Sequence, residues 1–245
     1  MKNSQIVVVS VVGFLTLIMI VMAGLGRVAL SQSVSGITRA EASSTVVVGE
    51  QITETFDLKD FQGVDVEGVW RVSLTQGDEW QVEVSHPASL EGDVKVRVQG
   101  DRLILGRTSS GRWRWWGRNE TRLSADIVMP ELSELDLSGA STLELSGFEG
   151  ERLEVDIAGA VRIEGRDGRY DVLELSVAGA SEIDLRGIVV TDARVNLAGA
   201  SDVTLSMNGG VLSGSMAGAG VIDYYGTVAE QRVSIAGVGH VRRVD

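Results

Sequence analysis

Leu137-Ser-Gly-Ala-Ser141, Ile157-Ala-Gly-Ala-Val161, Val177-Ala-Gly-Ala-Ser181, Leu197-Ala-Gly-Ala-Ser201, Met216-Ala-Gly-Ala-Gly220 and Ile235-Ala-Gly-Val-Gly239 are six copies of one motif. Their glycines, Gly139, Gly159, Gly179, Gly199, Gly218 and Gly237, are spaced 20, 20, 20, 19 and 19 residues apart. A period this regular means stacked units, each covering the apolar face of the next. Two residues before each Gly, and four after it, stands an aliphatic or Met: Leu137 and Leu143 in the first copy, Ile157 and Ile163 in the second. Four before it Leu135, Val155, Leu175, Val195 and Val233 continue the pattern, interrupted by Gly214, and polar residues such as Glu134, Asp136, Glu154 and Asp156 fall between. Period-two alternation on both sides of a Gly-centred bend predicts strand, tight turn, strand. Nineteen or twenty residues are too few for a propeller blade. They fit one coil of a single-stranded parallel β-helix, whose coils stack about 4.8 Å apart. Small residues at the corner let successive turns approach, and Gly supplies backbone angles that other residues avoid.

Working outward, residues 131–245 read as regular coils and residues 53–130 as irregular ones. Val64-Asp-Val-Glu-Gly68-Val-Trp70 is a degenerate copy of the turn, and Val94–Val98 with Arg102–Leu105 form a hairpin across Gln99-Gly100-Asp101. At the far end His240, Arg242, Arg243 and Asp245 are expected to discourage end-to-end stacking. Near the start, Ile6 to Leu25 is a 20-residue apolar run between Lys2 and Arg27. That length crosses a bilayer as a helix, and Ala29-Leu-Ser31 is a poor cleavage site. Residues 1–30 are therefore expected to be a membrane anchor, with a signal peptide as the alternative, and residues 31–52 a Ser/Gly/Thr-rich tether. Either leader places the domain outside the cytoplasm: periplasmic or extracellular on a single-pass anchor, or secreted after cleavage.

Composition narrows the function. Apolar residues make up 44% of the 245 and aromatics only 5%, so small and β-branched side chains must fill the core. A net charge of −12 opposes nucleic acid binding, and the absence of cysteine removes disulfides, thiolate metal sites and thiol nucleophiles.

The repeated Gly-Ala-Ser turns, Phe61-x-Gly-Val-Asp-Val-x-Gly-Val69, Met129-Pro-Glu-Leu132 and Ile222-Asp-Tyr-Tyr-Gly226 together resemble the bacterial auto-transporter adhesin head GIN domain family over about residues 56–245. The resemblance implies a right-handed β-helix, export or envelope attachment, no catalytic set and a role in adhesion. The last copies, with Gly220, Val238 and Gly239, depart from the serine-bearing turn.

Stacking brings the carboxylates into columns: Glu134, Glu154 and Glu174; Asp136 and Asp156; Glu144, Glu164 and Asp184. Like charges about 5 Å apart need solvent, arginine or a cation. No calcium-loop pattern accompanies them, so a solvated acidic face is expected and no metal or other cofactor. Ser141, Ser181 and Ser201 share one corner position suited to a hydroxyl ladder. His86, placed in a loop before Pro87, and His240 form no triad with them. The short turns after residue 131 leave no walled cleft for carbohydrate chemistry. No catalytic residue is expected.

The one segment outside the pattern holds Arg112, Trp113, Arg114, Trp115, Trp116 and Arg118. From residue 100 to 122 six arginines face two acids, Asp101 and Glu120, on an otherwise acidic chain. Arg beside Trp suits an anionic glycan, lipid headgroups or an envelope protein; it equally suits a cap over an open solenoid end. The expectation is a non-catalytic envelope protein for adhesion, scaffolding or partner binding. The alternatives are a polysaccharide-active enzyme using the carboxylates and an envelope-stress sensor.

Overall fold

The computed structural model describes residues 42–48, 51–108 and 123–245. The chain enters through β1 (Ala42–Val48), β2 (Gln51–Phe56), β3 (Gly63–Gly68), β4 (Trp70–Gln76) and β5 (Gln81–Pro87). One 3-10 turn, Ala88–Leu90, leads to β6 (Val94–Gln99), β7 (Arg102–Arg107) and β8 (Leu123–Met129). Then follow β9 (Glu134–Gly139), β10 (Thr142–Ser146), β11 (Glu149–Gly159), β12 (Arg162–Arg166), β13 (Gly168–Asn208), β14 (Val211–Thr227) and β15 (Glu230–Arg243). The fold is an all-β solenoid with parallel coils, as the period predicts.

Each coil has two long faces meeting at a glycine corner. On the first face the strands stack β6-β7-β3-β9-β11-β13-β14-β15, and on the second β1-β2-β5-β8-β4-β10-β12-β13-β14-β15. Strands β9 to β15 pair in parallel with no slip, so Gly68, Gly139, Gly159 and Gly179 are register partners in turn, as are Gly199, Gly218 and Gly237. Inward columns such as Val64, Leu135, Val155 and Leu175 are buried, and the side chains between them face solvent. Each such aliphatic contributes about 2 kcal/mol of gross burial free energy, opposed by the entropy of ordering the coil.

The irregular region departs from chain order. β3–β4 make the first coil, yet β7–β8 stack on its one side and β9–β10 on its other, all in parallel. The chain reverses through antiparallel β5 and the antiparallel hairpin β6–β7 before laying down the outermost coil. Within the expected tether, β1 forms where Ser43-Ser-Thr-Val-Val-Val48 supplies β-prone residues, and it pairs antiparallel with β2. One expectation is corrected. His86 is not in a loop but on β5, opposite Ile52 of β2 and 1% exposed. Its Nδ1 lies 3.0 Å from the Pro87 carbonyl and its Nε2 3.6 Å from Glu54, which gives the buried ring polar partners. The apolar run 6–25 lies outside the described residues. Among those described, no helix is long and apolar enough to cross a membrane.

Candidate binding surfaces

The glycine corner is where sequence, packing and surface shape meet. Gly159 and Gly179 have φ of 144° and 147°, in the half of the map that favours glycine. A Cβ on Gly179 would overlap the carbonyl oxygen of Gly159 in the coil beneath. Backbone bonds cross the corner, with the Ala140 N–H donating to Gly68 O and the Ala160 N–H to Gly139 O, both 2.8 Å. Serine hydroxyls take the next donors. Trp70 N–H donates to Ser141 Oγ, Val161 N–H to Ser181 Oγ and Ser181 N–H to Ser201 Oγ, at 3.2, 3.4 and 3.3 Å. These three hydroxyls point inward and are buried.

Because serine points in, alanine points out. Ala140, Ala160, Ala180 and Ala200 are exposed in one column, and with Thr142, Arg162 and Glu182 they line an open groove of about 430 Å³ along the corner. Arg162 and Glu182 form an ion pair on its flank, 2.5 Å apart.

Two described strands, β7 and β8, meet the same corner although fifteen residues separate Arg107 from Leu123. Leu105 pairs with Val66, so Arg107 stands level with Gly68, and Leu123 pairs with Trp70. Between Gly68 and Trp70 the chain spends only Val69, which is 63% exposed; between Arg107 and Leu123 it spends fifteen residues. β7 and β8, which flank the segment holding Arg112, Trp113, Arg114, Trp115, Trp116 and Arg118, therefore end and begin at the alanine column's own corner. Those six residues lie outside the described ones. Aligning Gly106-Arg107 with Glu67-Gly68 shows from sequence where β7 reaches the corner; the hydrophobic period alone does not.

The acidic columns are in register: Asp65 with Asp136, Asp136 with Asp156, Glu134 with Glu154 and Glu154 with Glu174. Arginine neutralises much of this charge. Arg102 on β7 reaches across the intervening coil to both Glu134 and Asp136. Gly63 makes the passage, since a Cβ there would stand 3.0 Å from Arg102 Cγ. Arg152 pairs with Glu174 at 2.7 Å, and on the second face Arg166 pairs with Glu164 and Arg186 with Asp184. The Arg186 hydrogen bond holds the Asp184 carboxyl below its ordinary range. Asp65 goes the other way. Burial, then Glu67 and Asp136, push it up to about 6, against the pull of Arg102 and Arg97. Arg97 Nη2 donates to Gln99 at 2.9 Å, while its buried Nε and Nη1 have no partner among the described residues. No group of three or more Asp, Glu or His side chains there could hold a metal ion.

The family model described as "Putative auto-transporter adhesin, head GIN domain" matches residues 60–191 and again 174–244. The chain belongs to this family. A crystal structure of a putative adhesin from Bacteroides fragilis has a TM-score of 0.61 at 16% identity over 80% of this chain and 98% of its own. Putative adhesins from Parabacteroides merdae and Parabacteroides distasonis each score 0.47, at 17% and 18% identity. Both comparisons cover 80% of this chain, with 97% and 98% of the respective relatives. At 16% identity the likeness to the Bacteroides fragilis structure establishes the fold alone. No curated protein matches the sequence.

Proposed function

We propose that this protein is a non-catalytic, adhesin-like component of the cell envelope, which binds its partner at the glycine corner. The binding surface combines the alanine groove with the Arg/Trp segment, residues 107–118. One observation carries the reading: β7 and β8, the strands that flank this segment in sequence, end and begin at the corner whose column forms the groove. A smooth corner lined by methyl groups offers apolar contact but little specificity. Trp and Arg are the residue types that most often dominate binding energy. The surplus of arginine on a chain of net charge −12 steers anionic partners, such as acidic glycans or phospholipid headgroups, toward this end. Adhesin membership supports a non-catalytic role, and arginines pair with Glu134, Asp136, Glu174, Glu164 and Asp184 in the carboxylate columns.

The experiment is the triple substitution Trp113→Ala, Trp115→Ala and Trp116→Ala in the full chain. Binding to anionic liposomes and to acidic polysaccharide is expected to fall at least tenfold, with β-rich circular dichroism unchanged. A triple variant that unfolds identifies the tryptophans as a cap. One that folds and binds as before places the binding surface elsewhere.

A further inference from the structure

The two ends of the solenoid differ. Toward the first coils, the faces finish in antiparallel strands: β5, β2 and β1 beyond β8, and β6 beyond β7. At the other end, among the described residues, β15 pairs only with β14, leaving a fourteen-residue strand edge. Among those residues this last coil exposes apolar side chains, with Ile235 42% and Val238 80% exposed. A long, regular, half-apolar edge of this kind is a template for strand addition.

We infer that this edge pairs with the β15 edge of a second copy of the chain, forming a closed two-fold dimer. The edge itself favours that occupant over an ordinary peptide. It bends at Gly237, whose φ is 149°, so an extended strand can pair with one face or the other but cannot follow both. Another solenoid end bends at the same place. The opposite end of the molecule presents antiparallel strands, so head-to-tail growth lacks a matching edge and the assembly closes at two.

A two-fold axis through the corner lays each first-face strand antiparallel against the partner's second-face strand, with Val238 facing the partner's Val238. Ile235 then meets Val241, Ala236 meets His240 and Ser234 meets Arg242. Both members of the first pair occupy inward columns, where their aliphatic side chains extend the core across the junction. No charged residue in this register opposes one of like sign, which satisfies the main electrostatic condition for cross-strand pairing. The terminal charges do not oppose it either. Arg242 is held by Asp223 at 2.6 Å and Arg243 by Asp245 at 3.6 Å, while Arg232 pairs with Glu230.

The chain has no cysteine, so single-cysteine variants of the full protein in detergent report the register directly. Val238→Cys lies on the axis and is expected to oxidise to a covalent dimer with copper–phenanthroline. Val69→Cys and Ala180→Cys, exposed on the same corner away from the end, are expected to stay monomeric. Chains carrying Ala236→Cys and His240→Cys should cross-link when mixed and not separately. Retained β-rich circular dichroism and maleimide reactivity of each thiol show that the variants are folded and accessible. A folded, reactive Val238→Cys chain that stays monomeric overturns the inference. So does cross-linking at Val69→Cys to the same extent, or a Val238→Cys adduct with a different protein.

Discussion

At the scale of single residues, the corner glycines are held by two independent constraints. Positive φ excludes most side chains on conformational grounds, and the carbonyl of the coil beneath excludes a Cβ on steric ones. Gly214, where the aliphatic column breaks, shows the same conflict with Val195 O at its φ of 137°. Gly179→Val is therefore expected to cost about 2–4 kcal/mol through overpacking and backbone strain. Thermal unfolding followed by circular dichroism checks it; an unchanged melting temperature would contradict the stacked corner. Such a double constraint is legible in sequence only as a repeated Gly. The corner serines were legible in the same way. Their shared phase suggested a ladder, and the structure gives its sense: each hydroxyl accepts from the neighbouring coil's N–H.

At the scale of strands, the columns decide how charge affects stability. Asp65 sits on β3 between Ile104 of β7 and Asp136 of β9, with Glu67 on its own strand and Arg97 and Arg102 nearby. Its carboxyl pKa is raised from an ordinary 3.8 to about 6, so the folded state binds the proton more tightly than the unfolded state. Stability is then lost as pH rises from about 4 through about 6, and no further loss from this group follows above that range. Asp65→Asn removes the penalty. It is expected to stabilise the domain by about 1–2 kcal/mol at pH 7.5, after discounting for solvent screening, and by little at pH 4. Urea titrations at the two pH values measure the difference; equal effects at both would rule out the charge as the cause. Sequence showed the carboxylate columns but not their neutralisation. The Arg102 bridge depends on β7 stacking two coils away from β9, and no local period encodes that order. The i, i+2 partners Glu164–Arg166 and Asp184–Arg186 lie along a strand rather than down a column, so they are legible in the sequence without knowledge of the stacking.

At the scale of the whole molecule, the sequence was most legible where coils repeat and least where they are laid down out of order. Residues 131–245 carry a period that maps directly onto register. Residues 53–130 build the two coils and the capping strands by antiparallel reversals, which leave no periodic trace. The Arg/Trp run stands out by composition, but the corner that its flanking strands reach is seen only in the pairing of β7 with β3 and of β8 with β4. Location is the property on which the proposed role depends. An adhesin-like surface must be displayed outside the cytoplasm, and the sequence offers Ile6 to Leu25 for this. As a helix, a predominantly apolar run of twenty residues would rise about 30 Å, enough to span the hydrocarbon core, whereas a cleaved signal usually has a shorter apolar stretch and a clearer small-residue site than Ala29-Leu-Ser31. The mature protein is accordingly expected to retain residues 1–31 and to remain with membranes after a high-salt wash that strips peripheral proteins. If the solenoid faces outward, protease added to spheroplasts digests it; protection from the protease would place it inside. Recovery of a soluble chain beginning at Gln32 would make it a secreted protein instead, and would leave surface attachment to the corner itself.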